Sequence, residues 1–206
     1  RKEFMLFYQP IMDLETKEVV GFEALLRWNH PEKGIIMPDD LIHIAEETGL
    51  IVPIGTWVLE ESCDQISEYI KRFSPERPFI LGLNISVTQL LKGDLIGQTL
   101  RVIKETGIAP ECLKLEITEN VMMNNAKAMV PLLNSLKKTG ICLAVDDFGT
   151  GYSSLSYLQE FPFDTLKIDR SFTRKLGVNN GKNTKIIQTI LSLASHLDMN
   201  VIAEGI

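Results

Sequence analysis

The sequence contains few of the residues that build zinc sites, disulfides or histidine-based active sites. Its cysteines, Cys63, Cys112 and Cys142, are odd in number and form no CxxC pair, so the sequence predicts reduced thiols rather than disulfides or zinc ligands. The three histidines are scattered without an HxxxH pair, and the chain contains no GxSxG motif. These absences argue against a histidine-ligated metal enzyme and against a serine hydrolase.

Long apolar runs and an excess of positive charge are also missing. No apolar run approaches the length of about 20 residues that crosses a membrane, and Arg1-Lys2-Glu3 leads directly into the strand-like FMLFY rather than into a secretory signal. The net charge of −6 argues against a protein that holds long nucleic acid by its phosphates. A length of 206 residues with 45% hydrophobic residues is typical of one folded domain, or of two small ones at most. The sequence therefore predicts a folded segment with no membrane contact and no long nucleic acid as partner.

Short apolar runs rich in strand-forming residues alternate with amphipathic segments of helical length. Only DLETKE separates the first two runs, which predicts an antiparallel hairpin. The later runs are joined by helix-sized connections, which predict parallel pairing. Together, the hairpin and the helix-sized connections predict an α/β fold, a (β/α) barrel with an irregular start, in which seven of the usual eight strands are visible. The predicted strands are 4–11, 18–28, 78–86, 112–119, 141–147, 164–169 and 199–206.

Five segments place apolar residues at helical spacing between recognisable start and stop residues. The first helix is expected to start at Asp39-Asp40 and to end at Gly49. The other four are expected to end, in chain order, near Pro75, Gly107, Gly140 and Met199. Pro131 predicts a kink inside the fourth helix. The most loop-like stretch is 176–183. Because the chain starts and stops abruptly in strand-like sequence, we expect a fragment of a longer polypeptide.

Polar residues stand where these strand-like runs end. In a barrel of parallel strands the carboxyl ends meet at one mouth, so we expect these side chains to converge. Clustered carboxylates are costly to bury unless positive charge compensates them. Carboxylate and amide oxygens suit a hard cation such as Mg²⁺ or Mn²⁺, so the sequence predicts a divalent-metal site. The residues are Glu23, Asn84, Glu116, Asp146, Asp147 and Glu204, and Lys167 ends a further run.

Each of these residues also has a purely structural interpretation. Asp146 and Asp147 can form a turn or a helix cap before YSSLSYLQ. For both side chains to reach the same pair of metal ions, the strand must end and twist here, which the glycines of GTG allow. Asn84 can cap the helix that follows it. Lys167 can orient or polarise a nucleophilic water, or it can make a structural ion pair with one of the acids.

The remaining acids keep two interpretations as well. Glu119 lies three residues after Glu116, on the opposite face of a strand unless it already lies in the loop. Glu116 is therefore the better ligand, and Glu119 is either a brace for a neighbouring loop or a solvated or helix N-terminal acid. Glu23 and Arg27 share one strand face, which fits a metal ligand beside a phosphate clamp or a simple salt bridge. The whole set fits hydrolysis of a phosphodiester between two ions about 4 Å apart.

An ordered series of motifs covers almost the whole chain: YQPI (8–11), EALLRW (23–28), LNIS (83–86), LEITE (115–119), DDFGTGYSSLSYL (146–158), LKIDRSF (166–172) and VIAEG (201–205). In these motifs the chain resembles the EAL-domain cyclic di-GMP phosphodiesterases. The resemblance implies a TIM-like (β/α) barrel with one antiparallel strand, and residues 1–206 as a single EAL domain of a longer multidomain signalling protein. It implies hydrolysis of cyclic di-GMP to linear pGpG with two Mg²⁺ or Mn²⁺ ions, in bacterial second-messenger signalling.

The resemblance also implies roles for the matching positions. Glu23, Asn84, Glu116 and Asp146 resemble the ligands of one ion, and Asp146, Asp147 and Glu204 those of the other. Lys167 is similar to the lysine that contacts the catalytic water, and it forms the implied catalytic set with Glu23 and Asp147. Glu119 matches the acid that braces the DDFGTG loop. Arg27 and Gln9 match residues that contact the phosphate and the nucleotide of the ligand.

Partners and location follow from the same resemblance. The loop and helix after Asp147 are similar to the family's dimerisation and coupling segment, which implies a homodimer and regulatory or cyclase domains in the full-length chain. A cytoplasmic location is implied, with anchoring of the full-length protein to the inner membrane left open. The chain departs from the family in one respect: a glutamine, the last strand and the last helix of the family lie beyond Ile206. Every ligand position that is present is intact, which favours an active enzyme over a receptor without turnover or an interaction domain.

Overall fold

The computed structural model describes residues 3–73, 77, 79–119, 126–151, 155–176 and 182–206, with only the backbone described at 39, 40 and 155–157. The chain divides into two compact units. The first comprises residues 1–115 and 139–141, and the second comprises residues 116–138 and 142–206. Strand β5, Leu113–Thr118, contributes residues to both units.

The first unit is built on a mixed set of strands. Strands β1 and β2 pair antiparallel, as the short DLETKE connection predicted, and β2 pairs with β4 in parallel from Gly21–Ile80 to Ala24–Leu83. The elements are β1 (Phe4–Met12), β2 (Val19–His30), β3 (Gly34–Ile36), α1 (Pro38–Thr48), α2 (Ile51–Phe73), β4 (Ile80–Asn84), α3 (Val87–Lys92), α4 (Leu95–Thr106) and a 3₁₀ turn (Pro110–Cys112).

The β1–β2 connection is closed by the side chain of Asp13. Its Oδ1 accepts from the backbone N–H of Glu15 at 2.9 Å and from that of Thr16 at 2.8 Å. These bonds lower the pKa of Asp13, because they favour the carboxylate form. A short polar side chain that bonds the backbone two or three residues on is how Asp initiates turns.

The sequence prediction missed β3 and ended β2 too early. In the structure β2 continues to His30, and His30 pairs with Gly34 across a tight turn. The ring Nδ1 of His30 accepts from the backbone N–H groups of Glu32 and Lys33 at 3.1 and 3.2 Å, and Gly34 adopts a φ of 73°. A Pro-x-x-Gly turn was the available signal, but three residues of strand are too short to show a period.

Two of the three predicted helix-ending glycines close their helices directly, whereas the helix that was predicted to end at Gly140 ends at Lys137. Gly49 and Gly107 close α1 and α4 in left-handed conformations, as predicted. Helix α1 begins at Pro38, one residue before the predicted start at Asp39-Asp40, because the fixed φ of proline suits the first helical position. The core of this unit packs β4 and α2 with fully buried Leu59, Leu81 and Leu83.

The second unit continues the alternation of strands and helices. It contains the end of β5, α5 (Ala126–Lys137), β6 (Cys142–Phe148), α6 (Leu155–Glu160), β7 (Thr165–Ile168), α7 (Arg170–Thr173), α8 (Lys182–His196) and β8 (Asn200–Ala203). Strands β6 and β7 pair in parallel, and so do β7 and β8, as predicted. Pro131 lies inside α5. Buried Leu133, Leu143 and Leu166 are among the residues of its core.

Asp164 joins the starts of three strands in this unit. Its carboxylate receives Lys137 Nζ at 2.8 and 2.9 Å and the backbone N–H of Leu143 at 2.7 Å. Its own backbone N–H donates to Leu143 O, and its carbonyl accepts from Asn200 N–H. Asp164 therefore links the N-terminal ends of β6, β7 and β8 through hydrogen bonds.

Some predicted features lie outside the described residues: Pro75, residues 152–154 of the DDFGTGYSSLSYL motif, and most of the 176–183 loop. Within the described part of the chain, no helix combines the length and the apolar character needed to cross a membrane.

Candidate metal centre

The predicted site residues lie near strand ends, but not all at the last position. Asn84 is the last residue of β4, Glu116 precedes the end of β5 by two residues, and Glu204 follows β8 directly. Lys167 is the penultimate residue of β7. Glu23 differs, because it lies in the middle of β2. The parallel pairing of β2 with β4 ends one residue later, at Ala24, and the rest of β2 pairs only with antiparallel neighbours.

A β-bulge brings the adjacent Asp146 and Asp147 to one place. Val145 pairs with Leu166, and Phe148 pairs with Ile168, so two residues of β6 oppose the single Lys167 of β7. Asp147 adopts a φ of 54°, a left-handed conformation that Asp tolerates better than most residues. The predicted twist therefore begins at Asp147 itself, inside the strand, before the glycines that follow it. The backbone N–H of Asp147 donates to Asp146 Oδ1 at 2.9 Å.

Three carboxylates meet at this bulge. Asp146, Asp147 and Glu204 each offer one oxygen, and these oxygens lie within 4.8 Å of one another. Asp146 is buried, whereas Asp147 and Glu204 are partly exposed. A small group of carboxylate oxygens open to solvent on one side fits a hard divalent cation such as Mg²⁺ or Mn²⁺. The second unit alone therefore contains a donor set for one ion.

Lys167 lies within the same group of acids. Its side chain is 2% exposed, and its Nζ lies 2.5 Å from Glu116 Oε2, 2.9 Å from Glu204 Oε1 and 3.1 Å from Asp146 Oδ1. The sequence left open whether Lys167 pairs with one of the acids, and the structure pairs it with three. The acids of this cluster are therefore partly neutralised by a buried ammonium group.

The pKa of Asp147 is raised above its ordinary value. Burial is the largest cause, followed by repulsion from Asp146 and Asp169, while Lys167 and Arg170 act in the opposite direction. Crowded carboxylates of this kind favour any added positive charge.

Glu119 lies just beyond β5 and bonds the loop that follows β6. Its side chain is fully buried, and its Oε2 accepts from the backbone N–H of Gly149 at 2.9 Å. A solvated acid is thereby excluded. Gly149 adopts a φ of 93°, and a Cβ there would lie 3.1 Å from the Phe172 ring. The contact fixes the backbone two residues after Asp147.

The first unit holds the other predicted residues together. Asn84 Nδ2 donates to Glu23 Oε1 at 2.7 Å, and Gln9 lies opposite Glu23 in the β1–β2 ladder. Asn84 is not the cap of α3, because Ser86 and Gln89 form a capping box there. The guanidinium of Arg27 lies 5.4 Å from the centroid of the half-exposed Phe7 ring. Gln9, Glu23 and Arg27 thus share one face of the hairpin.

Sequence reasoning missed the residues that position Glu204. The Thr173 hydroxyl donates to the carbonyl of Glu204, and the backbone N–H of Glu204 donates to Ile168 O at 3.1 Å. Gly205 adopts a φ of 71°, and a Cβ there would lie 2.9 Å from Arg170 Cβ. The LKIDRSF motif carried the signal, but only its lysine was interpreted.

Comparison with known proteins defines the class of this domain. The EAL domain family model matches residues 1–206, and the chain belongs to the EAL domain family. The chain is 36% identical over 206 residues to the bifunctional diguanylate cyclase/cyclic di-GMP phosphodiesterase MucR of Pseudomonas aeruginosa, an alignment that covers 100% of this chain and 30% of MucR. It is 37% identical over 201 residues to the cyclic di-GMP phosphodiesterase NbdA of the same organism, covering 98% of this chain and 25% of NbdA.

The solved structures that this chain resembles also include EAL proteins. The MucR phosphodiesterase in complex with c-di-GMP has a TM-score of 0.92 at 36% identity, covering 100% of this chain and 82% of that chain. The EAL enzyme Bd1971 with cAMP and cyclic di-GMP bound has a TM-score of 0.91 at 38% identity, covering 100% and 56%. This likeness confirms the predicted fold class, the TIM-like barrel class of the EAL proteins, although β3 as well as β1 pairs antiparallel with β2. The chain spans between 24% and 34% of the length of the first curated relatives it matches.

Proposed function

We propose that this domain is a metal-dependent phosphodiesterase that hydrolyses cyclic di-GMP to linear pGpG. The observation that carries the proposal is the meeting of Asp146, Asp147 and Glu204 within 4.8 Å beside a buried lysine. Family membership supports the substrate, because relatives in this family are named cyclic di-GMP phosphodiesterases. Two Mg²⁺ or Mn²⁺ ions would lower the pKa of a bound water and stabilise the leaving oxygen.

The residues would act as follows. Asp146, Asp147 and Glu204 bind one ion, and their cluster supports this assignment. The assignment of Glu23, Asn84 and Glu116, with Asp146, to another ion rests on the motifs and stays a prediction. Lys167 would contact and position the attacking water, a role that the LKIDRSF motif implies and that its place among the acids supports.

Other residues would bind the ligand or hold the site. Arg27 and Gln9 contact a phosphate and a nucleotide, for which a guanidinium and an amide on one hairpin face are suited. Glu119 braces the loop after Asp147, which its bond to Gly149 supports.

The larger assembly also stays a proposal. We expect this EAL domain to work within a longer signalling protein that carries regulatory or cyclase domains, and to dimerise through the loop and helix after Asp147. Part of that segment, residues 152–154, lies outside the described residues.

The test is to incubate the full-length domain with cyclic di-GMP and Mn²⁺, with and without EDTA, and to follow pGpG by chromatography. We expect metal-dependent product that falls on the order of 100-fold or more in Glu23→Ala and in Asp147→Asn. Glu60→Gln is the matched control, because Glu60 is an acid that pairs with Arg101 between α2 and α4. Tight binding of cyclic di-GMP without product would contradict the proposal and make the domain a receptor.

A further inference from the structure

Lys167 makes more contacts with the candidate ligands than the activation of one water requires. An ammonium group has three donors, and here three different carboxylates, of Glu116, Asp146 and Glu204, lie within 3.1 Å of it. These acids come from β5, from β6 and from the residue after β8. The lysine therefore connects three separate parts of the second unit at the level of the site.

We propose that Lys167 is the built-in counter-charge of the acid cluster, and that it shares its carboxylates with a bound divalent ion. It would keep Glu116, Asp146 and Glu204 in place when divalent ions are scarce. An ion that enters among Asp146, Asp147 and Glu204 would use two of the carboxylates that Lys167 contacts, those of Asp146 and Glu204. This role is one of positioning, and it rests on the proposed function only in taking these acids as metal ligands.

The physical reason is the cost of gathering negative charges away from water. Burying carboxylates without a compensating charge is strongly unfavourable, and removing one partner of a buried ion pair leaves an uncompensated charge behind. Glu116 and Asp146 are both buried, and Asp147 and Asp169 add further negative charge nearby, while Arg170 adds positive charge. A divalent ion and the ammonium of Lys167 should therefore be partly interchangeable as stabilisers of the fold.

The experiment is a thermal melt of Lys167→Met in EDTA and in saturating Mn²⁺, without substrate. In EDTA we expect the variant to melt on the order of 10 °C below the wild type. In Mn²⁺ we expect more than half of that difference to be recovered. Lys137→Met is the matched control, because Lys137 pairs with both carboxylate oxygens of Asp164, which is not one of the cluster acids. Its smaller loss should be the same in EDTA and in Mn²⁺.

A second variant separates charge from packing. Lys167→Arg keeps the positive charge, so its melting temperature in EDTA should stay nearer to that of the wild type than that of Lys167→Met does. If Lys167→Met does not fold in EDTA, it should fold when Mn²⁺ is present and unfold when EDTA is added, which supports the inference equally.

Two outcomes would overturn it. The first is a Lys167→Met variant that melts with the wild type in EDTA, and the second is a loss that Mn²⁺ reduces no more than it does for Lys137→Met. Neither outcome touches the proposed function, which fails if the wild type gives no metal-dependent pGpG. Because the melts contain no substrate, the two failures are distinguishable.

Discussion

Asp147→Asn should make the chelated protein more stable while it lowers the proposed phosphodiesterase activity. The side chain of Asp147 lies beside Asp146 and Glu204, with oxygens within 4.8 Å. The substitution removes one negative charge and keeps the shape of the side chain. Asn also tolerates the left-handed conformation that Asp147 adopts at φ 54°, so the bulge should persist.

The magnitude follows from the charges around this residue. The carboxylate oxygens lie within 4.8 Å of one another, and two charges at that upper limit repel by roughly 3.5 kcal/mol at an effective dielectric constant of about 20. Partial exposure and the attraction of Lys167 and Arg170 offset most of this. We therefore expect a net gain of about 0.5–1 kcal/mol, which corresponds to a rise in Tm of roughly 2–4 °C for a chain of this size.

The effect should depend on pH in a defined direction. The pKa of Asp147 is raised from its ordinary value of 3.8, chiefly by burial and then by Asp146. Ionisation therefore costs the folded state more than the unfolded state. The penalty is absent below the ordinary pKa and complete above the raised one, so the wild type should lose stability relative to Asp147→Asn as the pH rises through that interval.

Thermal melts in EDTA from about pH 3.5, just below the ordinary pKa of an Asp side chain, up to about pH 8 would measure this difference. Asp147→Ala is the conformational control, because it removes the same charge but lacks the short polar side chain that lets Asn bond the local backbone in a left-handed conformation, at a cost of about 1–2 kcal/mol. It should melt below Asp147→Asn. An Asn variant that is less stable than the wild type in EDTA throughout that range would refute the reasoning.

Three further predictions concern contacts that hold the site and the strands in place. Asp164→Asn should lower stability by about 1–3 kcal/mol, because it removes the ion pair with Lys137, with turnover of the remaining folded protein unchanged in a steady-state assay. Glu119→Ala should lower kcat and lower the free energy of unfolding by about 1–3 kcal/mol, because it leaves the Gly149 N–H without its acceptor. Glu119→Gln keeps an acceptor oxygen and should restore most of the kcat and most of the stability. Equal losses in the two variants would contradict a bracing role. Gly205→Ala should lower the free energy of unfolding by about 1 kcal/mol or more and weaken Mn²⁺ binding measured by calorimetry, since φ is 71° and the added Cβ would collide with the neighbouring helix. An unchanged Mn²⁺ affinity would show that the backbone at Gly205 does not position Glu204.

Parts of the fold could be predicted from local sequence because local physics decides them. The DLETKE segment is too short for a crossover, so β1 and β2 had to pair antiparallel. Gly49 and Gly107 end helices because a left-handed residue without a Cβ is the least costly way to stop. The three-residue β3 escaped prediction, since it forms only by pairing with the extension of β2.

The candidate site divides in the same way. The sequence by itself determined which carboxylates and which lysine are available to the site. Its motifs place Asp146, Asp147, Glu204 and Lys167 at or near strand ends, where the active sites of barrels lie. Their arrangement depended on tertiary structure. The bulge opposite Lys167, the left-handed Asp147 and the three ion pairs of one ammonium group arise only when β6, β7 and β8 lie side by side. Register and burial are properties of paired strands, and no single segment of the chain contains them.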